Sequence, residues 1–332
     1  MGGVDARGVA HDIPVVVIGG SAGALDPLQK IVSDLPADFG AAVFVTTHVP
    51  RDAVPALPHL LGRAGPLFAT HAIDRAPIAP GRIVVAPPNR HLLLADGVMR
   101  VIDGPTENGS RPSIDVTFRS AAAAFGSLAC GILVSGTLDD GVAGMIAIHE
   151  AGGATFVQAP DDALFPEMPR HALDSGAIDR ALPARQMGRA LEAWLQEVRD
   201  RPEESPPPPL DEREAGDPSV FTCPDCGGTL WEVDDEAVLR FRCRVGHAYS
   251  TESMLDSQGQ SLEATLWAAT RALQERHDLL VRVAGRAVEG NLPTVARRFE
   301  VKAREVRQHM TRLEAAIATV AEPTNSRSTE PS

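Results

Sequence analysis

Three apolar runs, each ending on a residue that carries chemistry, constrain this chain more than any other feature. Val15-Val16-Val17-Ile18 leads into Gly19-Gly20-Ser21-Ala22-Gly23, and the run from 41 to 47 ends on His48. Gly131-Ile132-Leu133-Val134-Ser135 opens into Gly136-Thr137-Leu138-Asp139-Asp140-Gly141. Short, wholly apolar runs separated by helix-length segments read as strands buried on both faces, which is the habit of parallel sheets. Further buried strands are expected at 82–86 and 155–158, and helices near 25–35, 113–125, 142–150 and 184–198. The segment 92–101 reads as a hairpin through Asp96-Gly97, a pair that tolerates positive φ. The pattern predicts an α/β fold, a doubly wound and mainly parallel sheet with an antiparallel hairpin.

Ser21 stands where the first strand breaks into a helix. A Gly-x-Ser-x-Gly turn needs glycines to bend sharply and leave the serine Oγ exposed, and the following helix is expected to aim unpaired N–H groups at that spot. A dinucleotide loop is excluded, because either register of G-x-G-x-x-G places Ser21 or Ala22 where glycine is required. A phosphate-binding P-loop is excluded as well, since no Gly-Lys-Ser or Gly-Lys-Thr follows. A tight turn carrying a solvated serine remains the plain alternative.

In open parallel sheets the carboxyl ends of the strands line one crevice, so Ser21, His48 and Asp140 can converge despite their separation in sequence. A histidine takes a serine proton, and a buried carboxylate holds the imidazole tautomer and steadies its positive charge. Each residue also has an ordinary reading: one of ten histidines on a surface, an aspartate capping a helix. The order Ser, His, Asp differs from the Ser, Asp, His order of α/β-hydrolases. His91 and Arg111 are candidates to reach the same crevice, with surface roles as the alternative.

Together these segments resemble the chemotaxis protein-glutamate methylesterases of the CheB type, from Pro14 to Ala184. The resemblance rests on Gly19 to Gly23, His48-Val49-Pro50, Ile78-Ala79-Pro80-Gly81, Arg111-Pro112-Ser113-Ile114-Asp115, Ser135 to Gly144 and Gly152-Gly153-Ala154-Thr155. It implies Ser21, His48 and Asp140 as the catalytic triad, Asp140 being preferred to Asp139 because the family aspartate directly precedes the glycine that is Gly141 here. It implies hydrolysis of glutamate γ-methyl esters on chemoreceptors with release of methanol, and in some members deamidation of glutamine. The implied partners are a methylated chemoreceptor or receptor-like protein and a separate response regulator or methyltransferase of the same pathway. Two departures stand near the triad: Gly136-Thr137-Leu138 where the family commonly has Gly-Met-Gly, and Ala22 where a threonine is frequent. About a dozen residues precede the first strand, too few for a phosphorylatable receiver domain. Control by phosphorylation in cis is therefore not expected. Two other readings compete: an esterase-like binding module without activity, and a hydrolase of small-molecule esters.

The net charge of −13 opposes nonspecific nucleic-acid binding. No run is long enough to span a membrane and no signal peptide is evident, so a cytoplasmic location is expected. The four cysteines do not suggest a disulfide scaffold.

From 201 to 219 the chain is proline-rich and acidic, with Pro206-Pro207-Pro208-Pro209, and reads as an extended linker. Beyond it come Cys223-Pro224-Asp225-Cys226-Gly227-Gly228 and Cys243-Arg244-Val245-Gly246-His247, around a strand pair near 230–233 and 238–242. Cys223, Cys226, Cys243 and His247 form a ligand set for one tetrahedral structural metal, zinc first and iron as the rival, with no open position for catalysis. A redox Cys-x-x-Cys would leave Cys243 and His247 unexplained. The linker predicts a zinc-ribbon-like module independent of the Ser21 domain.

Apolar residues then recur at heptad spacing through Leu255, Leu262, Leu266, Ala269, Leu273, Leu280 and Val283, and after Gly290-Asn291-Leu292-Pro293 through Val295, Phe299, Val306, Met310, Leu313 and Val320. They predict an antiparallel α-helical hairpin, burying its stripes internally or forming a homodimer. The expected organisation is a methylesterase-like domain at 12–200, a linker at 201–219, the ribbon at 220–250, the helical hairpin at 251–320 and a disordered tail at 321–332.

Overall fold

The structure, a computed structural model, describes residues 13–49, 56–200, 218–235 and 238–320. Most of the expected linker and all of the expected tail lie outside these residues, as does Pro50. The chain divides into two compact units, Met1–Met254 and Leu255–Ser332.

The first unit begins with β1 (Val15–Gly20), α1 (Leu25–Ser33), β2 (Ala42–Thr47), α2 (Leu57–Ala64), β3 (Phe68–His71) and β4 (Arg82–Val85). A hairpin of β5 (His91–Ala95) and β6 (Val98–Ile102) follows, then α3 (Ile114–Phe125), β7 (Ala129–Leu133), α4 (Val142–Glu150) and β8 (Ala154–Gln158). Next come α5 (Glu167–Asp174), β9 (Arg180–Leu182) and α6 (Ala184–Arg199). Seven strands pair in the order β3-β4-β2-β1-β7-β8-β9, every pair parallel.

Side chains alternate across this sheet. Val15 and Val17 face a core built with Ile114 and Phe118 of α3, Met145 and Ile148 of α4 and Met168 of α5, together with the β5–β6 hairpin. Val16 and Ile18 face the opposite core, built with Leu28 and Ile31 of α1, Leu61 of α2 and Leu191 and Trp194 of α6. Each fully buried leucine or isoleucine contributes roughly 1.5–3 kcal/mol, so both layers hold the sheet rigid beneath its loops. In the hairpin, Asp96 (φ 52°) and Gly97 (φ 71°) supply the two positive φ values of a tight turn. The sheet, its helices and the hairpin agree with the sequence. The short β3 and β9 escape it because edge strands of three or four half-exposed residues carry no apolar run.

A four-stranded antiparallel sheet follows, β10 (Pro218–Thr222), β11 (Thr229–Asp235), β12 (Val238–Cys243) and β13 (Ala248–Ser250). Its small core is Cys223, Leu230, Phe241, Cys243, Tyr249 and Met254. The linker composition predicts that this module stands apart, and the structure does not. The loop at 105–110 lies along β13, with Asn108 N–H donating to Ala248 C=O at 2.8 Å and Ala248 N–H to Thr106 C=O at 3.3 Å. Linker composition sets reach and stiffness; it does not decide whether the modules at its two ends dock.

α7 (Thr251–Glu289) starts in the first unit, and the second unit holds the rest of it with α8 (Pro293–Val320). Leu266, Thr270, Leu273, His277, Leu280, Ala284 and Ala287 form the covered face of α7, against Ala296, Phe299, Ala303, Val306, Met310, Leu313 and Ile317 of α8. The expected heptad seam is present, with Val283 and Val295 half-buried along it; it passes through Thr270 rather than the exposed Ala269, and Ala284 is buried beside Val283. Leu255 and Leu262 are exposed, because the 28-residue α8 cannot cover the first turns of the 39-residue α7. None of the described helices is long and apolar enough to cross a membrane.

Candidate functional site

Ser21, His48 and Asp140 meet at the carboxyl ends of β1, β2 and the segment after β7, adjacent strands of the sheet. Gly19 lies against Ile114 of α3 so closely that a Cβ there would overlap the isoleucine side chain. Gly23 takes φ 72°, turning the chain back beneath Ser135 and Phe165. The turn between them presents Ser21 half-buried at the rim.

One imidazole joins the other two residues. His48 Nε2 lies 2.7 Å from Asp140 Oδ2 and Nδ1 lies 3.1 Å from Ser21 Oγ. An ionised carboxylate only accepts, so Nε2 carries the proton and Nδ1 is free to accept from the Ser21 hydroxyl. Asp140 is buried at the N-terminus of α3. Its Oδ2 also accepts from Ile114 N–H at 2.7 Å, and its Oδ1 accepts from Asn108 Nδ2 at 2.9 Å, Ser113 Oγ at 2.9 Å and Asp115 N–H at 3.1 Å. Burial alone pushes this carboxyl up. The hydrogen bond and charge of His48, with the Ile114 and Asn108 donors, outweigh it and lower Asp140 to about 2. Asp115 is the opposite case: burial, then the charge of Asp140, pushes it up to about 7.

The turn around Ser21 is braced by Ser135, a residue whose importance the sequence did not reveal. Ser135 C=O accepts from Ser21 N–H at 3.0 Å, and its Oγ donates to Ala22 C=O at 2.8 Å and accepts from Phe165 N–H at 2.9 Å. α1 begins at Leu25, as the sequence indicates, and Ala24 N–H is taken by Ser21 C=O. Among the described residues, the N–H groups of Ala22 and Gly23 are left without an acceptor. Exposed Leu164 and Phe165 stand beside Gly23 and give the rim an apolar side.

Leu138 takes φ 59°, the left-handed backbone region in which glycine is at ease, and its C=O lies 3.1 Å from His171 Nδ1. Asp139, adjacent to Asp140, faces away from His48 and accepts from Ser250 Oγ at 2.6 Å and Ser253 Oγ at 3.1 Å. Burial pushes its carboxyl up, and those two hydroxyls oppose the rise.

Neither His91 nor Arg111 enters the crevice as the sequence allowed. His91 Nε2–H donates to Pro105 C=O at 2.7 Å while Nδ1 accepts from Ser113 N–H at 3.3 Å, and burial pulls its imidazole down. Arg111 grips Asn89 Oδ1 from two nitrogens, at 3.1 and 2.8 Å, and Gly104 C=O. Both brace the loop leading to Asn108. That asparagine carries the one available sequence signal, the Asn108-Gly109 pair of a tight turn, here with φ 52° and 68°.

In the ribbon, Cys223, Cys226, Cys243 and His247 bring their ligand atoms within 4.8 Å of one another. Cys226 Sγ is 3.7 Å from Cys243 Sγ, and His247 Nδ1 is 3.4 Å from Cys243 Sγ and 3.6 Å from Cys223 Sγ. A tetrahedral ion with sulfur at about 2.3 Å has sulfur–sulfur edges of about 3.8 Å, which these separations fit. Tyr249 Oη lies 3.6 Å from Cys223 Sγ, and Asp225 Oδ2 lies 3.9 Å from His247 Nε2.

Comparison with known proteins places this arrangement. The CheB methylesterase family model matches residues 16–191. The protein-glutamate methylesterase/protein-glutamine glutaminase 1 of Geobacter metallireducens is 37% identical over 191 residues, covering 56% of this chain and 52% of that one. The corresponding protein 2 of Anaeromyxobacter dehalogenans is 37% identical over 182 residues, covering 55% and 53%. The chain thus spans about half the length of these curated relatives. The crystal structure of the Thermotoga maritima CheB methylesterase catalytic domain superposes with a TM-score of 0.53 at 27% identity, covering 54% of this chain and 97% of that one. With more than half of its residues matched by the family model and the same fold beneath them, the chain belongs to the CheB methylesterase family.

Proposed function

We propose that this chain hydrolyses glutamate γ-methyl esters on a chemoreceptor-like protein, with glutamine deamidation as a second reaction of the same site. The observation that carries this reading is the single imidazole of His48 hydrogen-bonded to both Ser21 and Asp140. The names of the relatives, which join methylesterase and glutaminase, support the pairing of reactions.

Ser21 Oγ attacks the side-chain carbonyl carbon while its proton passes to His48 Nδ1. Asp140, ionised by its surrounding donors, holds Nε2–H and stabilises the imidazolium. The oxyanion is received by the free N–H groups of Ala22 and Gly23, a role backbone donors fill without reorganisation. His48 Nδ1–H then protonates the leaving group, methanol from an ester or ammonia from an amide. Water, activated by the same imidazole, hydrolyses the acyl-serine and releases glutamate. The apolar rim at Leu164 and Phe165 offers a protein substrate an apolar contact beside the reacting side chain.

The Cys223, Cys226, Cys243 and His247 cluster takes a structural zinc in this reading, because four protein ligands at tetrahedral separations leave no position for a substrate. The deciding experiment is methanol release from methylated receptor membranes, with wild type and Ser21→Ala in parallel. Release by wild type alone supports the reading. Equal release by both removes Ser21 from the chemistry, and hydrolysis of a small ester without release from membranes makes the chain a small-molecule esterase.

A further inference from the structure

The loop that supplies Asn108 to the Asp140 network is built as much by the ribbon as by the sheet. Asn108 is buried, and its amide has only one orientation that satisfies its surroundings. Nδ2 donates to Asp140 Oδ1 and to Asp115 Oδ2, each at 2.9 Å, while Oδ1 accepts from Ser250 N–H at 2.9 Å. Flipping the amide would set an oxygen against two carboxylates and two N–H donors against each other. The two carboxylates and the Ser250 N–H together therefore select the orientation in which Asn108 supports Asp140.

Both ends of the metal cluster hold this loop. His247 immediately precedes β13, so a ligand bond there fixes the start of the strand whose Ala248 and Ser250 pair with 106–108. In the other cysteine turn, Asp225 accepts from Thr106 Oγ at 2.6 Å. Glu107, nearly fully buried, joins Arg119 of α3 at 2.7 Å to Arg240 of β12 at 2.8 Å. Asp139 adds the hydroxyls of Ser250 and Ser253. Backbone pairing, a buried ion pair and a latch on the residue next to Asp140 converge on one side of the site.

We propose that Asn108, held by ribbon strand β13, is a positioning residue for Asp140, so that metal loading of the Cys223, Cys226, Cys243 and His247 cluster sets the competence of the Ser21–His48–Asp140 site. This rests on the esterase and metal readings given above. Without metal, β13 loses its anchor at His247 and the Asn108 Oδ1 loses the Ser250 donor that holds the side chain in place. Asp140 and Asp115 then face each other without the shared N–H group, and Asp140 holds the His48 imidazolium less firmly.

The test is a two-by-two comparison on the full chain: wild type and Asn108→Ala, each as purified and after removal of metal by a chelator, followed by zinc re-addition. Metal content, kcat and KM for p-nitrophenyl acetate, and hydrogen exchange at 105–115 are read for each. Metal-free wild type is expected to lose about 10- to 100-fold in kcat with little change in KM, the range for one charge-assisted hydrogen bond, and to regain it with zinc. Exchange at 105–115 should rise in step. Asn108→Ala should show the same loss with metal bound and almost no further loss when metal is removed, a non-additivity that a merely stabilising ribbon would not produce. Metal-free wild type keeping its kcat within twofold, losses that multiply, or global unfolding seen as faster hydrogen exchange throughout β1, β2 and β7 would overturn the proposal. Ser21→Ala in the same assay separates the readings: if it retains hydrolysis the esterase assignment fails, and if it is inactive while metal has no effect only the coupling fails. Protein isolated without metal would reject the metal assignment itself.

Discussion

Asp139 and Asp140 are consecutive and face opposite partners, Asp140 taking the His48 imidazole at 2.7 Å and Asp139 the Ser250 hydroxyl at 2.6 Å. Substitution should separate them. Asp140→Ala is expected to lower kcat for ester hydrolysis by about 10^4-fold, with little further loss in the Ser21→Ala background, since the residues act as a unit. Asp139→Ala should cost far less in kcat while loosening residues 248–253, read by hydrogen exchange. Equal losses in kcat would assign both carboxylates to the same step.

Acid should weaken the fold through Asp140. Its folded value, lowered to about 2, lies below that of an unfolded aspartate near 3.9, so its contribution is present above pH 4 and is lost as pH falls toward 2. Asp115, which burial and the Asp140 charge raise to about 7, contributes in the opposite sense, so the comparison is made in an Asp115→Asn background. There the stability difference between Asp140 and Asp140→Asn in urea should shrink by roughly 1–2 kcal/mol from pH 6 to pH 3. A difference that stays constant or grows on acidification would contradict the proposed ionisation.

Leu138 adopts φ 59° where a leucine side chain pays a left-handed backbone strain of about 1–2 kcal/mol. Glycine at this position relieves that strain and offsets the lost side-chain burial. Leu138→Gly is expected to change unfolding free energy by less than about 1 kcal/mol, whereas truncation of a fully buried sheet leucine such as Leu133 costs about 2 kcal/mol or more. Denaturant titration of the full chain decides it, and a loss above about 2 kcal/mol would show that packing at 138 outweighs strain.

The hairpin seam contains one buried polar group, His277, whose Nδ1 donates to Ala303 C=O at 3.1 Å while Nε2 accepts from Arg307 at 2.9 Å. His277→Ala removes both bonds and opens a gap, so the hairpin should lose about 1–3 kcal/mol. Faster hydrogen exchange confined to α7 and α8 is the expected signature; unchanged exchange would remove His277 from the determinants of this pairing.

Much of the candidate site was legible because its members end apolar runs. A buried strand announces itself by composition, and in a parallel sheet its carboxyl end has one address, so Ser21 and His48 are brought together by topology, while Asp140, beyond the end of β7, is also fixed by the donors at the N-terminus of α3. The cluster of Cys223, Cys226, Cys243 and His247 was legible for a different reason, the spacing of its members within short turns. Ser135, Asp115 and Asn108 were not assigned roles, because a brace or an orienting amide is defined by what lies across from it. Thr270 replaced Ala269 in the helical seam for a related reason, since which face of a helix is covered depends on the partner as well as on its own apolar letters.

The sequence by itself determined the sheet, the placement of Ser21 and His48 at strand ends and the Cys-Cys-Cys-His cluster, all of which follow from periodicity and spacing along the chain. Only the tertiary structure decided that the ribbon lies against the loop at 105–110. That contact joins Asn108 to Ser250 and Glu107 to Arg240 across more than a hundred residues, through single hydrogen bonds and one ion pair. Such bonds leave no periodic trace in a sequence, because their geometry exists only once both folded modules present their surfaces to each other.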